Sequence, residues 1–197
     1  MNQNSKTQRL VGTAILAAVV IVLQTFASAI HIGPFSITLA LVPIIIGAII
    51  YGPISGAVLG VAFGAVVCYA VVTGADVGGN LMFQQNPAVT ILVCILKSTV
   101  AGYVAGIVSG ALTKRGNLTA GTVLAAILCP LINTSILCIT MLAVFGELVE
   151  SWATSAGFQS SISYIILSMV GVNFLVELAI NIVFVPTITH IIKAVKK

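Results

Sequence analysis

From Ala88 to Leu112 the side chains are apolar or small, and one full charge interrupts them, Lys97. At about 1.5 Å per residue this run is long enough to cross a roughly 30 Å hydrocarbon core. Asn86-Pro87 reads as its start, because Asn caps helices well and Pro at the first helical position gives up no bond it would have made. Lys114-Arg115-Gly116-Asn117 stops it. Thr90, Cys94, Lys97, Ser98 and Ala101 recur at helical spacing, which places Lys97 on a small, weakly polar stripe. An ammonium at that depth costs about 3 kcal/mol or more unless it is paired or hydrated. The rest of the chain, or a ligand, has to supply the partner.

The whole composition agrees with a membrane setting. Of 197 residues 59% are hydrophobic and only 6% are charged, against about 25% charged in a soluble domain. The expected fold class is an all-α integral membrane protein: a six-transmembrane-helix bundle with both termini cytoplasmic, forming a single membrane domain over residues 1–197. The expected helices cover about 8–29, 38–51, 54–72, 87–112, 119–145 and 161–192. Orientation follows from the basic clusters, Lys6 with Arg9, Lys114 with Arg115, and Lys193 with Lys196 and Lys197, which belong on the cytoplasmic side. Asp76, Glu147 and Glu150 then fall outside. Lys6, Arg9 and an apolar run ending at Ala27-Ser28-Ala29 also resemble a cleavable signal, but the run is long for one, and a first spanning helix is the expectation.

Taken in order, the first helix carries Ala14-x-x-x-Ala18, a spacing that lets another backbone approach. By spacing alone it reads as internal packing. The second is short and holds Pro43, so it is expected to span with a kink. Gly56, Gly60 and Gly64 form a close-packing face on the third. Residues 73–85 read as a loop, polar and flexible in its first half, with apolar anchors in the second that fold back as a lid. Pro130 and Asn133 sit near the centre of the fifth helix, and Pro130 frees a carbonyl one turn earlier. Trp152 lies in the next outer loop, read either as an interfacial anchor or as a ring that stacks on a ligand. The sixth carries Asn173, Glu177 and Asn181 four apart, so one face presents amide, carboxylate, amide. Cys68, Cys94, Cys129 and Cys138 are packing thiols. His31 and His190 fall on opposite sides and share no metal.

Lys97, Asn133, Asn173, Glu177 and Asn181 are therefore mid-membrane polar groups on three helices. One reading is a buried Lys97–Glu177 pair with amides bridging helices. The other is the floor of an outward-open pocket for a small polar solute, with Asn80, Gln84, Gln85 and Asn86 contributing from the outer loop. No Ser/His/Asp set, H-E-x-x-H or carboxylate dyad appears, so an enzyme is not expected. No G-x-x-x-x-G-K-[ST] occurs, so the chain does not hydrolyse ATP itself.

The segment Phe35 to Gly47 (FSITLALVPIIIG), continued by Tyr51-Gly52-Pro53-Ile54-Ser55-Gly56-Ala57, together with Ala14-x-x-x-Ala18 and the helix count, resembles an S component, the substrate-binding subunit of an energy-coupling factor (ECF) transporter. The resemblance covers essentially the whole chain. It implies capture of a vitamin or similar micronutrient from outside, in a pocket built by the outer parts of helices 4 to 6. Delivery would need a transmembrane scaffold (T component) and two cytoplasmic ATPases. Ala14 and Ala18 would dock on the scaffold. Nickel and cobalt members carry a histidine right after the initiator methionine, where this chain has Asn2, so no metal is expected, nor any cofactor or nucleic acid. Flavin, thiamine and folate sites in the family are aromatic, whereas this chain is 7% aromatic. Lys97 favours a carboxylate, pantothenate being an example. The competing reading is an autonomous proton-coupled secondary transporter using Glu177 and Lys97, against which no inverted repeat is evident.

Overall fold

The computed structural model describes residues 3–28, 31–32, 35–36 and 38–195. Among the described residues four helices are long and apolar enough to span: α1 (Gln3–Ala27), α3 (Pro53–Thr73), α5 (Pro87–Lys114) and α6 (Leu118–Val144). Between α1 and α3 lie a short antiparallel ladder, β1 (His31–Ile32) with β2 (Phe35–Ser36), and α2 (Leu41–Tyr51). The ladder pairs His31 with Ser36 and Ile32 with Phe35. Gly33, Pro34 and Ile37 lie outside the described residues, as do Lys196 and Lys197. A short helix, α4 (Val77–Gln85), precedes α5, and α7 (Gly146–Ser155) follows α6. The last span begins as α8 (Ser161–Tyr164), continues as a π-helix (Ile165–Phe174), and ends as α9 (Leu175–Val183) and α10 (Val185–Val195).

Several expectations change. The six expected spans become four long helices, or five if α9 and α10, bent by 41°, count as one. Helix α2 has 11 residues, about 16 Å of rise, which is half a bilayer core. It starts at Leu41 rather than Thr38, and Pro43 falls in its first turn, where no backbone donor is missed. Pro43 therefore opens this helix instead of kinking it. Residues 77–85 are helical, not loop. Gly74, at φ 81°, ends α3 in the left-handed conformation that glycine tolerates. Asp76 caps the start of α4, its carboxylate accepting from the Gly79 amide at 2.8 Å. Asn86 in turn caps α5, accepting from the Val89 amide at 3.2 Å. The break before α10 sits beside Pro186, whose ring excludes a straight helical backbone before it.

The core of the bundle is the crossing of α3 and α5. A Cβ added at Gly60 would collide with the backbone of Ser98, and one at Gly64 would come within 2.7 Å of the Ile95 Cα. At Gly56 it would meet the Gly102 carbonyl. The expected glycine face is thus a backbone-to-backbone contact, tied by the Ser98 hydroxyl donating to the Gly60 carbonyl at 2.8 Å. Around it Leu41, Ile44, Ile45, Leu59 and Phe63 are fully buried. A second apolar cluster joins Met82 of α4 to Phe145, Val149 and Ala153 at the start of and within α7, and to Tyr164.

The two ends of the bundle differ in charge. Arg9 Nε donates to Ser55 Oγ at 3.1 Å, so α1 and α3 begin side by side. Gly106 packs on Pro53, which brings the last part of α5, leading to Lys114 and Arg115, to the same end. The short helices α4 and α7, near Asp76, Glu147, Glu150 and Trp152, cover the opposite end.

Because Gly60 faces backbone rather than a side chain that can turn away, Gly60→Val is expected to destabilise the bundle by about 1–3 kcal/mol. Gly110→Ala, at a position with nothing within 4 Å of the added Cβ, is expected to be neutral or slightly stabilising. Thermal unfolding in one detergent checks the pair.

Candidate functional site

Beneath α4 lies a cavity walled by α3, α5, α6 and α9, with Gln24 of α1 and Thr38 reaching it from the side. About 60 Å³ of it is open to the centres of water molecules. At about 10–15 Å³ per water this holds on the order of five waters. Three of the expected site residues meet here: Lys97 from α5, Asn133 from α6 and Glu177 from α9. Their exposures are 8%, 3% and 6%.

The direction of Lys97 is set by the helix it sits on. Ser98 is held against Gly60, and successive helical residues are about 100° apart. With Ser98 fixed on the α3 contact, Lys97 is turned towards the cavity. Pro130 lies inside α6 without breaking it, one turn before Asn133.

The expected Lys97–Glu177 ion pair does not form. The two charges feel each other across the cavity, but Glu177 instead faces the hydroxyl and backbone amide of Thr38. Glu177 Oε2 has no hydrogen-bond partner, and neither has Asn133 Oδ1. Buried polar atoms normally find partners. A cation and two orphaned acceptors therefore face a space large enough for water or part of a solute. The Asn181 side chain does not line this space: its Nδ2 donates to the Glu177 carbonyl at 2.7 Å and steadies α9. The side chain of Asn173 lies outside the described residues.

The outer-loop amides have structural work instead. Asn80 Nδ2 donates to the Val71 carbonyl at 2.9 Å, closing the end of α3. Gln84 Nε2 donates to Asn80 Oδ1 at 2.7 Å on the exposed side of α4. Asn86 caps α5. None of the three, nor Gln85, lines the cavity. Their amides are short-range caps, which is what Asn near helix ends most often supplies.

Polar lining groups outside the expected site set include Gln24, Ser36, Thr38, Asp76 and Thr134, together with Thr90 from the Lys97 stripe. Gln24 carried a signal, since an amide inside an apolar span is costly unless it faces the bundle interior. Asp76 was expected outside in a flexible loop. It is 5% exposed, and besides Gly79 it accepts from the Ser36 hydroxyl at 2.7 Å and the Ser36 amide at 3.3 Å. One carboxylate thus ties β2 to α4, two covers of the same cavity. The Ala14 and Ala18 side chains are exposed on α1, so this pair is not internal packing.

Removing the Asp76 tie should loosen the cover before it loosens the bundle. Asp76→Ala is expected to cost about 1 kcal/mol of local stability through the lost cap and to speed amide hydrogen exchange in residues 77–85. Ser36→Ala is expected to do the same more weakly. Unchanged exchange at 77–85 in both variants would contradict the tie.

The family model described as "ECF transporter, substrate-specific component" matches residues 8–189. No curated protein and no solved structure matches the chain.

Proposed function

The chain belongs to the family of ECF transporter substrate-specific components, and on that premise we propose that the Lys97 cavity is its solute-capture site, open to the outside when its cover lifts. Membership makes the chain a multi-pass membrane subunit that binds a transported substrate. The observation that carries the site assignment is Lys97: a nearly buried ammonium with no ion-pair partner, facing a cavity that also holds the unpartnered Glu177 Oε2 and Asn133 Oδ1. The proposed solute is a small acid, such as pantothenate, whose carboxylate meets Lys97 and whose hydroxyl or N–H groups donate to Glu177 and Asn133. The free space is too small for such a solute as it stands, so its entry requires α4 and the β1–β2 ladder to move aside.

In this reading the basic end, with Lys6, Arg9, Lys114 and Arg115, is cytoplasmic, and the cavity lies towards the outer face. Lys97, Asn133 and Glu177 are retained as solute-binding residues. Asn80, Gln84 and Asn86 act indirectly by holding the cover, and Asn173 remains a candidate contact on the same span. Delivery is with a transmembrane scaffold and two cytoplasmic ATPases. Exposed Ala14 and Ala18 are the proposed scaffold contact, since small side chains let a partner helix approach closely.

Mass spectrometry of small molecules released from the purified protein is expected to show an acidic, hydroxyl- or amide-bearing compound. Cells making this chain together with the scaffold and ATPases should accumulate that compound, and cells making the chain alone should bind it without accumulating it. Accumulation by the chain alone would support the proton-coupled carrier instead. Bulky residues at 14 and 18 should abolish accumulation and leave binding nearly intact.

A further inference from the structure

At the basic end, α1 and α3 line an open groove of about 560 Å³ whose residues are distinct from those of the Lys97 cavity. This lies within the size range of small-molecule sites. Its walls are apolar: Leu10, Ile54 and Val58 are exposed by 72%, 64% and 49%. Its floor is kept low by Ala14 and Ala17. Its mouth carries two cations, Lys6 and Arg9.

Among the described residues those cations have no ion-pair partner. The chain has four acidic residues. Asp76, Glu147 and Glu150 belong to the opposite end, and Glu177 lies in the cavity. Arg9 is steadied rather than neutralised, because its Nε donates to Ser55 Oγ while its two terminal nitrogens remain for another acceptor. A planar guanidinium held in this way suits two oxygens of a phosphate. The ligand that meets both demands carries a phosphate at one end and a hydrocarbon chain at the other.

We propose that this groove binds one anionic phospholipid, its headgroup phosphate between Lys6 and Arg9 and one acyl chain laid along Leu10, Ile54 and Val58 over Ala14. The site is separate from solute capture and does not depend on the transport reading. Juxtamembrane cations attract anionic lipid in general. What sets this groove apart is the fixed Arg9 above an apolar channel, so the lipid is retained at one place rather than gathered in a cloud. Ala14 lines the groove and Ala18 does not. A scaffold docking on both would therefore share the groove's edge with the lipid or displace it.

The full chain is reconstituted in nanodiscs of phosphatidylcholine with phosphatidylglycerol, extracted, and weighed by native mass spectrometry. One phosphatidylglycerol per chain should survive extraction. Replacing Lys6 and Arg9 together by Ala should weaken its retention by about 30-fold, near fivefold per cation. Replacing Lys114 and Arg115 together, at the same end but outside the groove, should leave it within twofold. Ala14→Leu, at an exposed position that folding tolerates, should weaken retention by raising the groove floor. The proposal is overturned if phosphatidylcholine is held equally well, or if both double variants lose the lipid alike. It is also overturned if millimolar inorganic phosphate displaces the lipid, since the chain would then contribute nothing.

Discussion

The contact between α3 and α5 governs the rest of this molecule. Gly56, Gly60 and Gly64 bring one backbone against another, and the Ser98 hydroxyl crosses the gap to the Gly60 carbonyl. In a bilayer there is little hydrophobic drive between helices, so close packing and interhelical hydrogen bonds have to hold them together. That contact also fixes the rotation of α5. With Ser98 committed to α3, Lys97 has no lipid-facing option, and its charge is turned inward to the space between α5, α6 and α9.

An inward charge at that depth is normally answered by an opposite one. Here the answering carboxylate is present but forms no ion pair with Lys97: Glu177 lies beside Thr38, just ahead of α2, and its Oε2 has no hydrogen-bond partner. Held apart, the two charges leave a polar gap in which water or a solute completes the bonding. The cover over the gap depends on Asp76, which joins the ladder and α4 through a single carboxylate.

Much of this was legible in residue order. The glycine spacing named the α3 face, and the lone lysine in an apolar run marked a helix face that lines the cavity, as Asn133 and Glu177 also do. What was not legible depends on partners distant in sequence. Thr38 lies beside Glu177 across 139 positions of sequence, and nothing local to either residue says so. Asp76 looked like a solvent-facing loop acid because its bond to Ser36 spans 40 positions. The amides Asn80, Gln84 and Asn86 looked like ligands because capping and binding use the same side chains. The break of the last span was readable at Pro186 and was missed because the four-residue polar repeat around Glu177 drew the helix through it. Similarly, the 11 residues of α2 are too few to span alone, and the apolar run around them hid that shortness.

The central claim is that Lys97 awaits the solute rather than Glu177. The direct measurement is the affinity of the co-purified solute for the native chain, Lys97→Met and the Lys97→Met/Glu177→Gln double variant, alongside their thermal stability. The account predicts that Lys97→Met weakens binding by about 1.5–3 kcal/mol, the range for a charge-assisted hydrogen bond. It also predicts that the double variant does not recover that affinity. Unchanged affinity in Lys97→Met, or a stability loss of about 3–5 kcal/mol in that variant that the double variant restores, as for a broken buried ion pair, would contradict it.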